Sequence, residues 1–350
     1  AVQLTSLPRD AGLINLAREK KLPLMVEYYD RIWINSNLDR TSREFLSLSD
    51  PSVIVPLMEQ GELLGFAVIG RKLSGKPFGR VDAEILELLG ERSAVAVRNK
   101  MLYKDSVEKE RLEEEVHLAS EIQQRLLPAA PPVMKNAEIL GAMRTCREVG
   151  GDFYDYLDLA PGITGFAVAD VSGKGIPASL LMTTLQAGYR AEATAAKSPA
   201  EVLKALNSLL YDRSDLSRFA TFFYGVYDDE TGILQFSNGG AFPPIVLRGD
   251  GSITKLQRGG ILVGVDPDSN FCNGVIKLRS GDLLISYTDG FIDQETSSGK
   301  YFGEDRIIEF LKANRLLEMS EMMDKLFSDV LAFGDGIVKD DMTAVILRIR

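Results

Sequence analysis

Four short stretches of this chain set aspartate beside glycine or a hydroxyl residue: Gly150-Gly151-Asp152-Phe153-Tyr154-Asp155, Asp170-Val171-Ser172-Gly173-Lys174-Gly175, Thr288-Asp289-Gly290 and Lys339-Asp340-Asp341-Met342-Thr343. Each falls where an apolar run meets a turn; Asp170 lies at the end of the run Ile163 to Val171, which reads as a buried strand. Clustered carboxylate oxygens are the ligands that Mg²⁺ and Mn²⁺ prefer over those of soft metals. The glycines let backbone approach a metal, water or phosphate where a β-carbon would obstruct it. A surface turn accounts for one such patch. Four of them at strand ends point to a two-metal hydrolase, with Asp152, Asp170 and Asp289 as its first candidates.

Composition removes the competing chemistries. A single histidine, His117, excludes any site built from several imidazoles, and it lies in a charged helical stretch where a solvated role is expected. Cys146 and Cys272 are too few for a disulfide framework, and neither is followed six positions later by the arginine of a cysteine-phosphatase loop, so both read as inert thiols. Carboxylates, hydroxyls, amines and metal-activated water remain. A formal net charge of −10 argues against a nucleic-acid partner. With no apolar run of about 18 residues and no basic leader at the start, the expectation is a soluble, cytoplasmic chain without a membrane partner.

The positioning elements follow from periodicity. The 350 residues, 45% apolar and 26% charged, suffice for two domains. In residues 1–102, Val53 to Met58 and Leu63 to Ile69 predict a hairpin about Glu59-Gln60-Gly61-Glu62. A helix from Val81 to about Met101 follows, and Tyr28 to Ile34 suggests another strand edge. The hairpin, the basic Arg71-Lys72 loop with Phe78, and the closing helix resemble the C-terminal half of a GAF sensor domain. Residues 103–128 belong to a charged helix, Asn99 to Leu127, whose apolar positions Leu112, Val116, Ala119, Ile122 and Leu126 form a narrow coiled-coil seam that predicts a homodimer. Pro128, Pro131 and Pro132 mark the boundary to a domain over 129–350. There, ten short strands from Glu138 to Ile349 are interrupted by helices at Pro177 to Ala195, Pro199 to Tyr211, Asp305 to Ala313 and Met319 to Phe333. This order predicts an α+β domain of antiparallel sheets covered by helices.

The four acidic stretches, with Asn238-Gly239-Gly240-Ala241, Pro243-Pro244 and the leading segment Glu121-Ile122-Gln123-Gln124-Arg125-Leu126-Leu127-Pro128, resemble the SpoIIE/RsbU-type branch of the PPM (PP2C-like) serine/threonine phosphatases. The resemblance spans about 230 residues. It implies a β-sandwich flanked by helices, with two Mn²⁺ or Mg²⁺ ions at one edge. By match to the family motifs, Asp170 bridges the ions, the Val171 carbonyl adds a ligand, and Asp152, Asp289 and Asp340 complete the set, with Asp341 a second choice beside Asp340. Arg147 and Lys174 are the residues proposed to hold phosphate. The implied reaction is direct attack of an ion-activated water on phosphoserine or phosphothreonine, with no phosphoenzyme, and the implied partner is a phosphorylated STAS-type anti-sigma factor antagonist. Gly150-Gly151-Asp152-Phe153 also resembles the diguanylate cyclase signature, but Phe153 stands where that signature has glutamate. Ser172-Gly173-Lys174-Gly175 fails the spacing of a phosphate loop. The alternative on the same fold is a catalytically silent binding module, whose mark is a missing metal aspartate; none is missing.

Overall fold

The computed structural model describes residues 7–8, 10–26, 34, 36–212 and 218–350. The expected strand edge at 28–34 lies outside the described residues except for Ile34, which is helical. The chain divides into two compact units, 1–113 and 114–350.

In the first unit, helix α1 (Gly12–Lys20), strand β1 (Leu24–Met25) and helix α2 (Arg40–Ser49) precede the hairpin β2 (Val53–Glu59) and β3 (Glu62–Ile69). The three strands form one antiparallel sheet in the order β1-β2-β3. One face packs Ile54 against Leu13 and Ala17 of α1. The other packs Met25, Val53 and Val55 against Phe78, Ala83 and Leu86. The two helices expected at 81–101 and 99–127 are a single helix, α3 (Arg80–Leu126), because no glycine or proline breaker lies between about 91 and 127.

The second unit has four layers. One sheet has the order β10-β9-β13-β14-β4, from strands β4 (Ala137–Arg144), β9 (Ile245–Leu247), β10 (Ile253–Lys255), β13 (Leu283–Tyr287) and β14 (Met342–Ile349). The other has the order β11-β8-β7-β6-β5, from β5 (Asp152–Ala160), β6 (Ile163–Val171), β7 (Ala220–Asp228), β8 (Ile233–Gly239) and β11 (Gly259–Gly260), with β12 (Gly274–Lys277) also on β8. Every pairing is antiparallel except β11 with β8. Strand alternation builds the core. Tyr154, Val168, Phe223, Leu284 and Val345 meet between the sheets. Their neighbours Phe153, Ala167, Ala169 and Phe222 turn outward under helices α4 (Ile176–Glu192) and α5 (Pro199–Tyr211). On the other side Ile285, Ala344 and Ile346 pack under α7 (Gly303–Asn314) and α8 (Met319–Phe333), beyond the single turn α6 (Asp289–Ile292). The expected α+β architecture, a helix-flanked antiparallel sandwich, is what the chain forms.

Candidate active site

The same alternation carries polar groups to one end of the sandwich. Asp152 lies directly across from Asp170 in the β5–β6 register, and both share the faces of Tyr154 and Val168 that look into the inter-sheet space. Thr288, just past β13, and Thr343, on β14, reach the same end, where the Asp152 Oδ2 accepts a hydrogen bond from Thr288 Oγ1 at 2.7 Å. The Thr343 N–H donates to that hydroxyl at 3.0 Å, so Thr288 joins the two sheets at the carboxylates.

The electrostatics mark a crowded acidic group. Burial, then the charges of Asp170 and Asp341, hold the Asp152 carboxyl well above its ordinary range. Burial and the Asp289 charge push Asp170 up to about 7. Burial and the Asp340 charge push Asp289 up to about 6. Asp293, which the sequence reading did not single out, is raised by burial and by Asp340. Like charges this close favour a proton or a cation between them. Val171 places its carbonyl oxygen against Gly151, where a β-carbon would come within 2.7 Å of it, so that position requires glycine. All the donors are oxygens, which fits Mg²⁺ or Mn²⁺.

Adjacent Asp340 and Asp341 are used differently. Asp341 is buried, and its two oxygens accept from the Cys146 N–H and the Gly151 N–H, each at 2.8 Å. It therefore shapes the 146–151 turn. Asp340 is half-exposed, bonds Lys174 Nζ at 2.8 Å, and is close enough to raise both Asp170 and Asp289. Cys146, Asp340 and Asp341 have ligand atoms within 4.8 Å of one another, but burial and the Asp341 charge push the Cys146 thiol up to about 11, which keeps it protonated. Cys272 is free and exposed. Replacing Asp341 with Ala frees two peptide N–H groups and is expected to lower stability in chelator by about 2 kcal/mol, whereas Asp340→Ala is expected to change it by less than about 0.5 kcal/mol. Thermal melts in EDTA check the pair; equal losses would contradict the division of roles.

Lys174 also donates to the Lys339 carbonyl at 2.9 Å, which ties its loop to the Asp340 segment. Burial opposes its charge, but the Asp340 hydrogen bond together with the negative charge of Asp340 and its neighbours raises its pKa. The Arg147 guanidinium lies beside Gly175, where an added β-carbon would sit 3.6 Å from Nη1.

Two buried clasps were not foreseen. The Gln123 carboxamide, on α3, donates to the Gly150 carbonyl at 2.7 Å and accepts from the Gly150 N–H at 3.0 Å. Asp155 accepts from Arg190 Nε and Nη2 at 2.6 and 2.8 Å and from Gln186 Nε2 at 3.2 Å. Gln186 also donates to the Leu126 carbonyl at 2.9 Å, so the end of α3, β5 and α4 share one network. The sequence signal for the first clasp was a glutamine amid apolar positions near the helix end; for the second, a charged residue inside a strand. Asn238-Gly239-Gly240-Ala241 is a turn that Asn238 closes, its Oδ1 accepting from the Ala241 N–H at 2.8 Å.

Residues 160–350, more than half of the chain, match the family model described as SpoIIE: Stage II sporulation protein E. Protein IcfG of Synechocystis sp. is 28% identical over 259 residues, which cover 66% of this chain and 41% of IcfG. Phosphoserine phosphatase RsbU of Bacillus subtilis is 25% identical over 238 residues, covering 68% of this chain and 70% of RsbU. The chain thus spans less than half the length of the first of these relatives. Among solved structures, the SiaA-PP2C domain of Pseudomonas aeruginosa superposes with a TM-score of 0.61 at 22% identity, over 69% of this chain and 98% of that domain. That likeness shows a PP2C fold.

Proposed function

Because this chain belongs to the SpoIIE family, we propose that it is a metal-dependent protein serine/threonine phosphatase. The observation that carries the reading is the convergence of Asp152, Asp170, Asp289 and Asp340 at one end of the sandwich, where burial and mutual repulsion raise Asp152, Asp170 and Asp289. Two Mn²⁺ or Mg²⁺ ions, when bound, would supply a water acidified to attack near neutral pH and positive charge for the phosphate oxygens. Asp170 would contact both ions, with the Val171 carbonyl, Asp152, Asp289 and Asp340 as the other ligands; Asp341, its oxygens already engaged, would hold the turn carrying Gly151.

The protein's own groups would orient the phosphate. Arg147 presents a planar fork of donors suited to a phosphoryl group. Lys174, tethered to Asp340 and the Lys339 carbonyl, would trade part of that tether for the substrate. Phosphoserine as substrate is supported by the relative named phosphoserine phosphatase RsbU. We assign the partner to phosphorylated STAS-domain anti-sigma factor antagonists. The N-terminal region 1–102 would be a GAF-like sensor, 103–128 a linker helix joining two copies, and 129–350 the phosphatase domain. No helix among the described residues is long and apolar enough to cross a membrane.

The test is phosphate release from a purified, phosphoserine-bearing STAS protein, compared with a short phosphoserine peptide, in Mn²⁺. Faster turnover of the STAS protein is expected. Turnover of the peptide alone would remove the partner and leave the phosphatase.

A further inference from the structure

Past the single turn α6, and before it enters α7, the chain makes a tight hairpin beside the acidic group. Glu295 and Tyr301 pair across it in one antiparallel bridge, the Thr296 N–H donates to the Lys300 carbonyl at 2.9 Å, and Gly299 turns the tip at a φ of +81°, which favours glycine. Three ties hold this hairpin to the loop that leads into Asp340. The Gln294 carboxamide donates to the Ile337 carbonyl, Lys339 Nζ bonds Glu295 Oε2 at 2.9 Å, and the Ser297 N–H donates to Asp335 Oδ2 at 3.0 Å. The acidic group is within reach: the Asp340 charge raises Asp293, one residue before Gln294. Residues directly opposite in an antiparallel pair put their side chains on one face, so Tyr301 stands on the face of Glu295 that meets Lys339. Tyr301 is 59% exposed there, and Ile337, whose carbonyl Gln294 holds, is 62% exposed.

We infer that this hairpin and the 335–339 loop form a docking lip for the phosphoprotein substrate, in which Tyr301 and Ile337 receive an apolar side chain next to the phosphoserine. The inference rests on the phosphatase reading given above and adds a determinant of which phosphoserines are used. Position selects the occupant. The serine side chain is short, so a phosphoserine that reaches the carboxylates at Asp340 brings its neighbouring residues over the segment before Asp340 and over the hairpin bound to it. Charge selects an apolar neighbour: Lys339 is already paired with Glu295, so what the lip offers beside that pair is a tyrosine ring and an isoleucine. Exposed apolar residues standing singly are ordinary. These two differ in sitting on backbone that is tied down before any substrate arrives, which lowers the ordering cost of binding, and tyrosine is a side chain on which interface energy concentrates.

Steady-state kinetics of the full chain in Mn²⁺ test this on two phosphoserine peptides that are identical except for leucine or alanine on both sides of the phosphoserine. The leucine-flanked peptide is expected to show about tenfold higher kcat/KM, the scale of burying one additional apolar side chain. In Tyr301→Ala/Ile337→Ala the ratio of the two peptides should fall to near one. The ratio is taken within one enzyme, so a partial loss of folded protein does not move it. Leu316→Ala, at a position 93% exposed after α7, should keep the wild-type ratio. A wild-type ratio near one, a ratio unchanged in the double variant, or its equal loss in Leu316→Ala overturns the inference and leaves the phosphatase reading standing. If the wild-type chain releases phosphate from neither peptide, the phosphatase reading fails and this inference falls with it.

Discussion

Asp170→Asn is expected to lower phosphoserine turnover about 1,000-fold or more, the scale of losing a group that acts on charge developing in the transition state. Asparagine keeps the shape and removes the charge, and Asp170 is the carboxylate that lies across from Asp152 and is raised by Asp289. The same substitution should raise stability in the absence of metal. The Asp170 carboxyl is pushed up to about 7 in the folded chain from an ordinary 3.8, so the folded state binds the proton more tightly than the unfolded state. Its contribution to stability is therefore fully present below about pH 4 and is lost as pH rises through about 7. In EDTA at pH 8 the Asp170→Asn chain should be more stable by about 2 kcal/mol, taking roughly 1.4 kcal/mol per unit and discounting for shared titration with Asp152. At pH 4 the difference should vanish. Loss of turnover together with a lower melting temperature would instead mean a misfolded variant.

Arg190→Leu is expected to destabilise the C-terminal unit by about 2 kcal/mol, the scale of leaving a buried carboxylate short of hydrogen bonds, discounted because the arginine side chain is half exposed. Asp155 is fully buried, and Arg190 supplies two of its hydrogen bonds. Without the guanidinium, Gln186 and the Tyr156 N–H remain as donors, and no cation remains. Arg190→Lys should lose less than Arg190→Leu because it keeps the charge and gives up the fork. Urea unfolding of the two variants at pH 8 distinguishes these outcomes. A loss below about 0.5 kcal/mol for Arg190→Leu would mean that solvent reaches Asp155 freely.

The C-terminal unit was largely legible because its central strands are buried on both faces, between the sheets and under the helices, and so stand out as short apolar runs between turn residues. Helices Pro199–Tyr211 and Met319–Phe333 and strand Met342–Ile349 lie at the bounds the sequence predicts. The strand Gly259–Gly260 was not foreseen, since two glycines carry no apolar signal and the pairing depends on their fit against Asn238. In the N-terminal unit, Leu24–Met25 is too short for periodicity, and α1 and α2 bury few residues each. Glycine beside aspartate disclosed where the carboxylates gather. Thr288, Gln123 and the Asp155–Arg190 pair stayed hidden because their partners are 27 to 136 residues away in sequence, joined only by the fold. The adjacent aspartates show the same limit: side by side in sequence, Asp341 turns inward to peptide N–H groups and Asp340 faces the acidic group.

The central claim is that this acidic end of the sandwich is a metal-dependent hydrolytic site. The most direct measurement is phosphate release from a phosphoserine peptide by the chelated protein as Mn²⁺ is added, followed alongside calorimetric Mn²⁺ binding. The expected result is negligible turnover in EDTA, recovery that tracks the filling of two sites, and neither binding nor recovery for Asp170→Asn. Undiminished turnover in EDTA, or full turnover by Asp170→Asn, would contradict it.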